Sequence, residues 1–256
     1  MWGNMVELQE LVHSTDALLN VGAFQDYCPN GLQVEGRSEI RRLVSGVTAC
    51  AELLDRAVAL NADAVLVHHG YFWKGEGAAI TGIKRGRIKR LLDADISLLA
   101  YHLPLDAHSE LGNNVQLARQ LGLDVQGSFG GGGGPDLALM GGVEQPLSAE
   151  ALAVQIKERL GRAPLHVGNG PALIRSIGWC SGAAQSYIEQ AAELGLDAFI
   201  SGEISESTVH FAREAGIHYF SAGHHATEKY GVQALGERLA QTYAIEHTFI
   251  DIANPV

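Results

Sequence analysis

Residues 44–70 read VSGVTACAELLDRAVALNADAVLVHHG, and this stretch decides the fold. A small apolar run gives way to Leu53, Leu54, Ala57, Val58 and Leu60 at helical spacing. A second run, Ala64-Val65-Leu66-Val67, follows Asn61 and Asp63. Strand, helix and strand in this order form one α/β unit. The second strand is apolar throughout, as a strand covered on both faces must be. It ends on His68-His69, and Gly70 is expected to turn the chain sharply there. Two imidazoles then lie at the C-terminal edge of a sheet, where open α/β folds place their ligands.

The pattern recurs. Residues 176–203 read SIGWCSGAAQSYIEQAAELGLDAFISGE, again strand, small-residue turn, helix, Asp-Ala and apolar strand. The second helix carries Tyr187, Ile188, Ala191, Ala192 and Leu194. What comes next also matches: strand Ile96–Tyr101 then His102 and Asp106, against strand Ile217–Ala222 then His224 and Glu228. Helices are expected after each, at Asn113–Leu121 and Lys229–Ala240. The fold class that follows is α/β, built as two related α/β units with a metal site at their junction. The units are expected at 1–126, with a C-terminal strand at 246–252 able to join, and at 127–256. The second unit is expected to open with a Gly-rich linker at 127–135, since five consecutive glycines resist ordering. A phosphate cradle is excluded there, because Pro135-Asp136 stands where a helix N-terminus is needed.

Bulk properties narrow the function. With 256 residues, 46% of them hydrophobic and 18% charged, the chain can bury a large core or two modest ones. No apolar stretch approaches the roughly 20 residues that span a bilayer. The start, Met1-Trp2-Gly3-Asn4-Met5-Val6-Glu7, lacks the features of a signal peptide, so a cytoplasmic location is expected. Cys28, Cys50 and Cys180 form no CxxC pair and read as small apolar fillers. A net charge of −11 argues against an extended nucleic-acid surface. The basic run Lys84-Arg85-Gly86-Arg87-Ile88-Lys89-Arg90 reads as a solvated helix face or subunit contact, with phosphate recognition as the alternative.

His68, His69, His102, Asp106, Glu203, His224, His225 and Glu228 all fall at strand ends or just beyond them. His224 and Glu228 are four apart, so a helical turn brings both to one face. Imidazoles and carboxylates without thiolate suit zinc, manganese, iron, cobalt or nickel, and suit calcium or magnesium poorly. One tetrahedral ion does not need so many ligands; two ions about 3.5–4 Å apart, bridged by a carboxylate such as Glu228 or Asp106, use them all. Any single histidine among them has a structural explanation as a cap or interface residue.

Asp26-Tyr27-Cys28-Pro29-Asn30-Gly31-Leu32-Gln33-Val34, Val67-His68-His69-Gly70-Tyr71-Phe72-Trp73-Lys74-Gly75, Tyr101-His102-Leu103-Pro104-Leu105-Asp106, Ser201-Gly202-Glu203 and Gly223-His224-His225-Ala226-Thr227-Glu228 together resemble the signatures of the NIF-three-like proteins, also called GTP cyclohydrolase I type 2 homologues. The resemblance runs through nearly the whole chain and is strongest to short bacterial members without an inserted domain. It implies that His68, His69, Asp106, His224 and Glu228 bind two divalent metal ions per subunit. It also implies a homo-oligomer, a ring of six subunits with the sites facing an internal cavity. The glycine run is not part of the family pattern.

The expected function is a metal-dependent hydrolase of a small nucleotide-like substrate, working through metal-bound hydroxide in cyclohydrolase or phosphatase chemistry. His102, Glu203 and His225 are the groups nominated for proton transfer or substrate contact. Trp73 and Tyr71 either stack on a purine or pack in the core or a subunit contact, and Lys74 either meets a phosphate or is solvated. The alternative is a metal carrier or insertase without turnover. A scaffold stapled by metal fits less well, because structural zinc sites are closed and thiolate-rich.

Overall fold

Ala64–His69 is a strand in which every residue but His69 is buried, in keeping with its apolar sequence. A computed structural model gives the fold of residues 4–256; residues 1–3, where the stretch read for a signal peptide begins, lie outside the described residues. In chain order the elements are β1 (Val6–Glu7), α1 (Leu8–Leu18), β2 (Gly31–Val34), β3 (Glu39–Ile40), β4 (Arg42–Thr48), α2 (Ala51–Ala59), β5 (Ala64–His69), α3 (Gly82–Ala94), β6 (Ser97–Ala100) and α4 (Leu103–Ala107). There follow α5 (Asn113–Leu121), β7 (Asp124–Phe129), β8 (Ala138–Leu147), α6 (Ala149–Leu160), β9 (Leu165–Val167) and β10 (Ile174–Cys180). Then come α7 (Ile188–Glu193), β11 (Ala198–Ser201), α8 (Glu206–Ala215), β12 (His218–Ser221), α9 (His224–Tyr243) and β13 (Glu246–Phe249).

Contacts divide the chain into two units. The first runs up to Leu105 and takes back Gly231–Ala253; the second is Asp106–Tyr230 with Asn254–Val256. The change at Leu105/Asp106 comes earlier than the 126/127 read from the sequence. The reason is α5, which packs on α6, β7 and β8 and so belongs with the second sheet.

The first unit's main sheet has the order β13-β4-β5-β6-β2. β13, β4, β5 and β6 are parallel, and β2 closes the edge antiparallel to β6. On one face, Leu53, Leu54 and Ala57 of α2 and Ile88 and Leu91 of α3 pack on Val44, Val65, Val67 and Leu98. Asn61 ends that crossover in the left-handed region (φ 52°), which asparagine tolerates, and Ala62 N–H donates to Ala57 O (3.0 Å). The basic run lies on α3, partly covered, with ion pairs to the unit's own carboxylates. Arg90 meets Asp55 (2.7 Å), Lys84 meets Glu76 (3.3 Å), and Lys89 meets Asp93.

The second unit's sheet has the order β7-β8-β10-β11-β12-β9. Its parallel centre is β10, β11 and β12, with antiparallel strands on both sides. Leu117, Leu121, Leu152 and Ile156 cover one face around Trp179 and Phe220. Ile188, Ala191 and Ala212 cover the other around Phe199 and Tyr219. Helices on both faces make this a three-layer α/β unit.

The glycine run is not a linker between units. Gly127, Ser128 and Phe129 belong to β7 and pair with β8, so residues 130–134 form the tip of a hairpin inside the second unit. Asp136 ties the tip, accepting from Ser128 Oγ (2.8 Å) and Gly131 N–H (2.9 Å). The antiparallel pairing supplies the order that composition alone withholds. No helix among the described residues is long and apolar enough to cross a membrane.

Candidate metal centre

Each sheet presents its chemistry at the C-terminal ends of its parallel strands. In the first unit, β5 delivers His68 and His69, and β6 delivers His102 two residues beyond its end. The three offer ligand nitrogens within 4.8 Å of one another. Each ring is held through Nδ1. His68 Nδ1 donates to Tyr101 O (2.9 Å), His102 Nδ1 donates to Asp26 Oδ1 (2.7 Å), and His69 Nδ1 pairs with Thr48 Oγ1 (3.2 Å). A carbonyl or carboxylate oxygen only accepts, so Nδ1 carries a proton in His68 and His102, and Nε2 is the nitrogen left to face a ligand. Metal-binding histidines are held in the same way, with the nitrogen away from the ion donating to a carbonyl or carboxylate.

Asp26 is almost wholly buried and fully engaged. Oδ1 accepts from Tyr27 N–H (2.6 Å) and His102; Oδ2 accepts from Asn30 Nδ2 (2.8 Å) and Leu103 N–H (2.9 Å). Burial raises a carboxyl pKa, but the hydrogen bond and charge of His102, with those from Asn30 and Tyr27, hold this one below the usual range. Trp73 walls the cluster, its ring 5.0 Å from His102 and 5.9 Å from His69.

In the second unit, Ser181-Gly182 follows β10, Glu203 follows β11, and His224 opens α9 after β12. His224 stands between two carboxylates, with Nδ1 on Glu203 Oε1 (2.7 Å) and Nε2 beside Glu228 Oε2 (3.1 Å). Burial alone would lower its pKa, but Glu228 and Glu203 push it up to about 9. The strongest place for a proton on Nε2 is also the strongest place for a cation. Asp106 and Glu228 offer carboxylate oxygens within 4.8 Å of each other. Asp106 Oδ1 accepts from Asn113 Nδ2 (2.9 Å) and Ser181 Oγ (3.2 Å), which aims the carboxylate.

These donor sets suit a divalent transition metal: imidazoles locked through Nδ1, oriented carboxylates, and no ionised thiol. Cys28 lies beside Asp26 and His102, and burial, with Asp26 adding to it, pushes its thiol up to about 12. Buried and half-buried His, Asp and Glu side chains that could bind a metal are thus present among the described residues.

Residues 6–255 match the model of the family described as Duf34/NIF3 (NGG1p interacting factor 3). The chain belongs to the NIF3 family. A relative in Pseudomonas aeruginosa, named GTP cyclohydrolase 1 type 2 homolog, is 56% identical across 98% of this chain and 99% of its own. One of the same name in Vibrio cholerae is 54% identical across 99% of this chain and 100% of its own. Among solved NIF3 structures, one described as protein ybgI of unknown function superposes with a TM-score of 0.95 at 51% identity, covering 98% of this chain and 100% of that one. Another, from Thermus thermophilus, has a TM-score of 0.88 at 31% identity, covering 98% and 100%.

Against this NIF3 fold the expected site residues sort by unit. His68, His69 and His102 gather in the first; Asp106, Glu203, His224 and Glu228 gather in the second. Glu203, nominated for proton transfer, pairs through Oε1 with His224 Nδ1 (2.7 Å). His225, one residue along α9 and so about 100° around the helix from His224, joins no metal-capable group among the described residues; its N–H donates to Val256 O (3.0 Å). Tyr71 packs in the core with its hydroxyl donating to Ala49 O (2.7 Å), so core packing, not purine stacking, is its use. Lys74 is exposed. The sequence alone does not assign Asp26, Asn113, Asn114, Ser181 or Gly182. The signal for Ser181 and Gly182 is the small-residue turn of the second repeat, and for Asp26 it is the Asp26-x-x-x-Asn30 motif.

Proposed function

We propose that the chain is a metal-dependent hydrolase whose ligands are His68, His69, Asp106, His224 and Glu228. The observation that carries the reading is that partners behind the ligands hold them in the same manner in both units. A carbonyl holds Nδ1 of His68, a carboxylate holds Nδ1 of His224, and Ser181 with Asn113 aims Asp106. Divalent ions on such ligands supply Lewis-acid polarisation and a water pKa lowered towards 7. The protein's own part is to hold imidazole lone pairs and carboxylates in place without thiolates, which leaves room for exchange at open positions. Trp73 contributes an apolar wall beside His69 and His102, suited to excluding water from one side of a small substrate. The name of the relatives, GTP cyclohydrolase 1 type 2 homolog, directs the choice of substrate class to nucleotides. On the family resemblance we also propose two ions per subunit and a ring of six subunits.

The test is elemental analysis of protein purified without chelator, beside a His68→Ala/Glu228→Ala variant, followed by a nucleotide panel that includes GTP. About two equivalents in the parent, a large loss in the variant and metal-dependent turnover support the reading. Bound metal with no turnover, and transfer of the ions to a competing apo-protein, would turn it into a carrier. Sedimentation velocity reads the ring directly.

A further inference from the structure

We propose that Tyr27 and Trp73 form a stacking site for a nucleobase, placed beside His102 in the first unit. The proposal rests on the hydrolase reading above and deepens it, by naming the side chains that take the flat ring of a nucleotide.

Tyr27 is the one exposed tryptophan, tyrosine or phenylalanine among the described residues, and it is 61% exposed. A single exposed apolar side chain needs no explanation. This one has a companion. Its ring meets the His102 imidazole at 6.5 Å and 65°, and the half-buried Trp73 ring meets the same imidazole at 5.0 Å and 84°. Two aromatic rings from segments far apart in the chain therefore converge on one polar side chain.

The backbone under both rings is fixed. Tyr27 N–H donates to Asp26 Oδ1 (2.6 Å), and Tyr27 O accepts from Lys74 N–H (2.6 Å). Gln33 ties the same two segments again: its Oε1 accepts from Tyr71 N–H (2.7 Å), and its Nε2 donates to Tyr71 O (3.1 Å). The Trp73 indole N–H donates to Gly70 O (3.2 Å), which sets the ring and satisfies its polar atom. Residues 26–33 and 70–74 are thus held as one piece, and rings presented on it lose little freedom when a ligand binds.

Ring chemistry selects the ligand. Every nucleobase has a π face, and aromatic side chains that stack on bases do so with little regard to which base it is. A free sugar phosphate gains nothing from such a platform. Tyr71, the other aromatic that the sequence offers for a purine, lies in the core, so Tyr27 takes the place beside Trp73.

The test is isothermal titration calorimetry of the full-length protein, purified without chelator, with guanosine and adenosine 5′-monophosphate. Ribose 5-phosphate, which carries the sugar and phosphate but no base, is the third probe. The variants are Tyr27→Ala, Tyr27→Phe and Trp73→Ala, each checked by thermal unfolding and metal content. We expect both nucleotides to bind the parent more tightly than ribose 5-phosphate does. Tyr27→Ala and Trp73→Ala should weaken them by at least about fivefold, and Tyr27→Phe should stay within about twofold of the parent. Tyr27 is largely exposed, so its variants keep the question measurable if Trp73→Ala does not fold. Parent-like nucleotide affinity in folded Tyr27→Ala overturns the stacking site. So does an equal loss for ribose 5-phosphate, or a parent that binds neither nucleotide more tightly than the sugar phosphate. A changed sedimentation coefficient of Tyr27→Ala with nucleotide affinity intact makes the ring a subunit contact, which also overturns it. If the parent holds no metal but the base-dependent losses remain, the stacking site stands and the hydrolase reading falls. Metal and turnover in the parent, with unchanged nucleotide affinity in the alanine variants, is the reverse.

Discussion

Gly182 stands against Glu228: a Cβ built on Gly182 would lie 2.2 Å from Glu228 Oε1 and 3.2 Å from His224 Nε2. The same residue has φ +66°, a conformation that costs an L-residue roughly 1–2 kcal/mol. The glycine after β10 therefore makes room for the carboxylate and imidazole of α9. Gly182→Ala should displace Glu228 and reduce metal retention in the second unit by at least about tenfold, with Tm in chelator lowered by about 2–8 °C. Elemental analysis and a melting curve read the two effects apart. Parent-like metal content in a folded variant would show that the cradle does not serve the ligands.

Glu203 offers a sharper separation of roles. Its carboxylate accepts from His224 Nδ1, and its side chain is 37% exposed, so substitution there disturbs little packing. Glu203→Gln keeps an acceptor but removes the charge that fixes the imidazole. Metal affinity should fall about 10–100-fold while Tm in chelator stays within about 2 °C of the parent. If affinity holds and only turnover falls, Glu203 acts on substrate and the positioning role is wrong.

Asn114 is 1% exposed and connects three segments of the second unit. Its Oδ1 accepts from Ser181 N–H (2.8 Å), and its Nδ2 donates to Leu137 O (2.8 Å). Asn114→Ala leaves both groups buried without that partner, at a cost of about 2–4 kcal/mol for the pair. Urea unfolding should show the loss even with chelator present. A change below about 1 kcal/mol would mean that water replaces the amide.

Much of this is legible in the chain. The run Ala64–Val67 announces a strand covered on both faces, and β5 is one. The His224–Glu228 spacing announces one helical face, and α9 places the two side chains 3.1 Å apart. Gly70 matters for a reason other than the sharp turn that the sequence suggests. It lacks a positive φ; what it gives is space, since a Cβ there would lie 2.2 Å from Gln33 Oε1 and 2.6 Å from Ala100 Cβ. Such close approach depends on residues distant in the chain, and no local pattern carries it. The division at Leu105 escapes the sequence for a like reason. Helical periodicity shows that α5 is a helix, but not which sheet its apolar face will meet. The hairpin at 130–134 is ordered by pairing between strands, again a non-local term.

His247 gives a pH dependence that does not involve the candidate metal ligands. Its Nε2 lies 2.8 Å from Ser45 Oγ, and burial lowers its pKa below the ordinary 6.5, with Glu237 acting weakly the other way. The unfolded chain therefore takes up the proton first as pH falls. Where the unfolded state binds more protons, stability rises with pH. The contribution is fully present above pH 6.5 and is lost as pH drops from there towards the folded pKa. The slope is at most about 1.4 kcal/mol per pH unit. His166, lowered by burial and by His218, adds a slope of the same sign, so His247→Gln should flatten the acid limb without abolishing it. The measurement is the urea midpoint from about pH 5 to 8 in chelator for parent and variant, the range in which histidine titrates. A His247→Gln limb as steep as the parent's would mean that His247 titrates alike in the folded and unfolded chain.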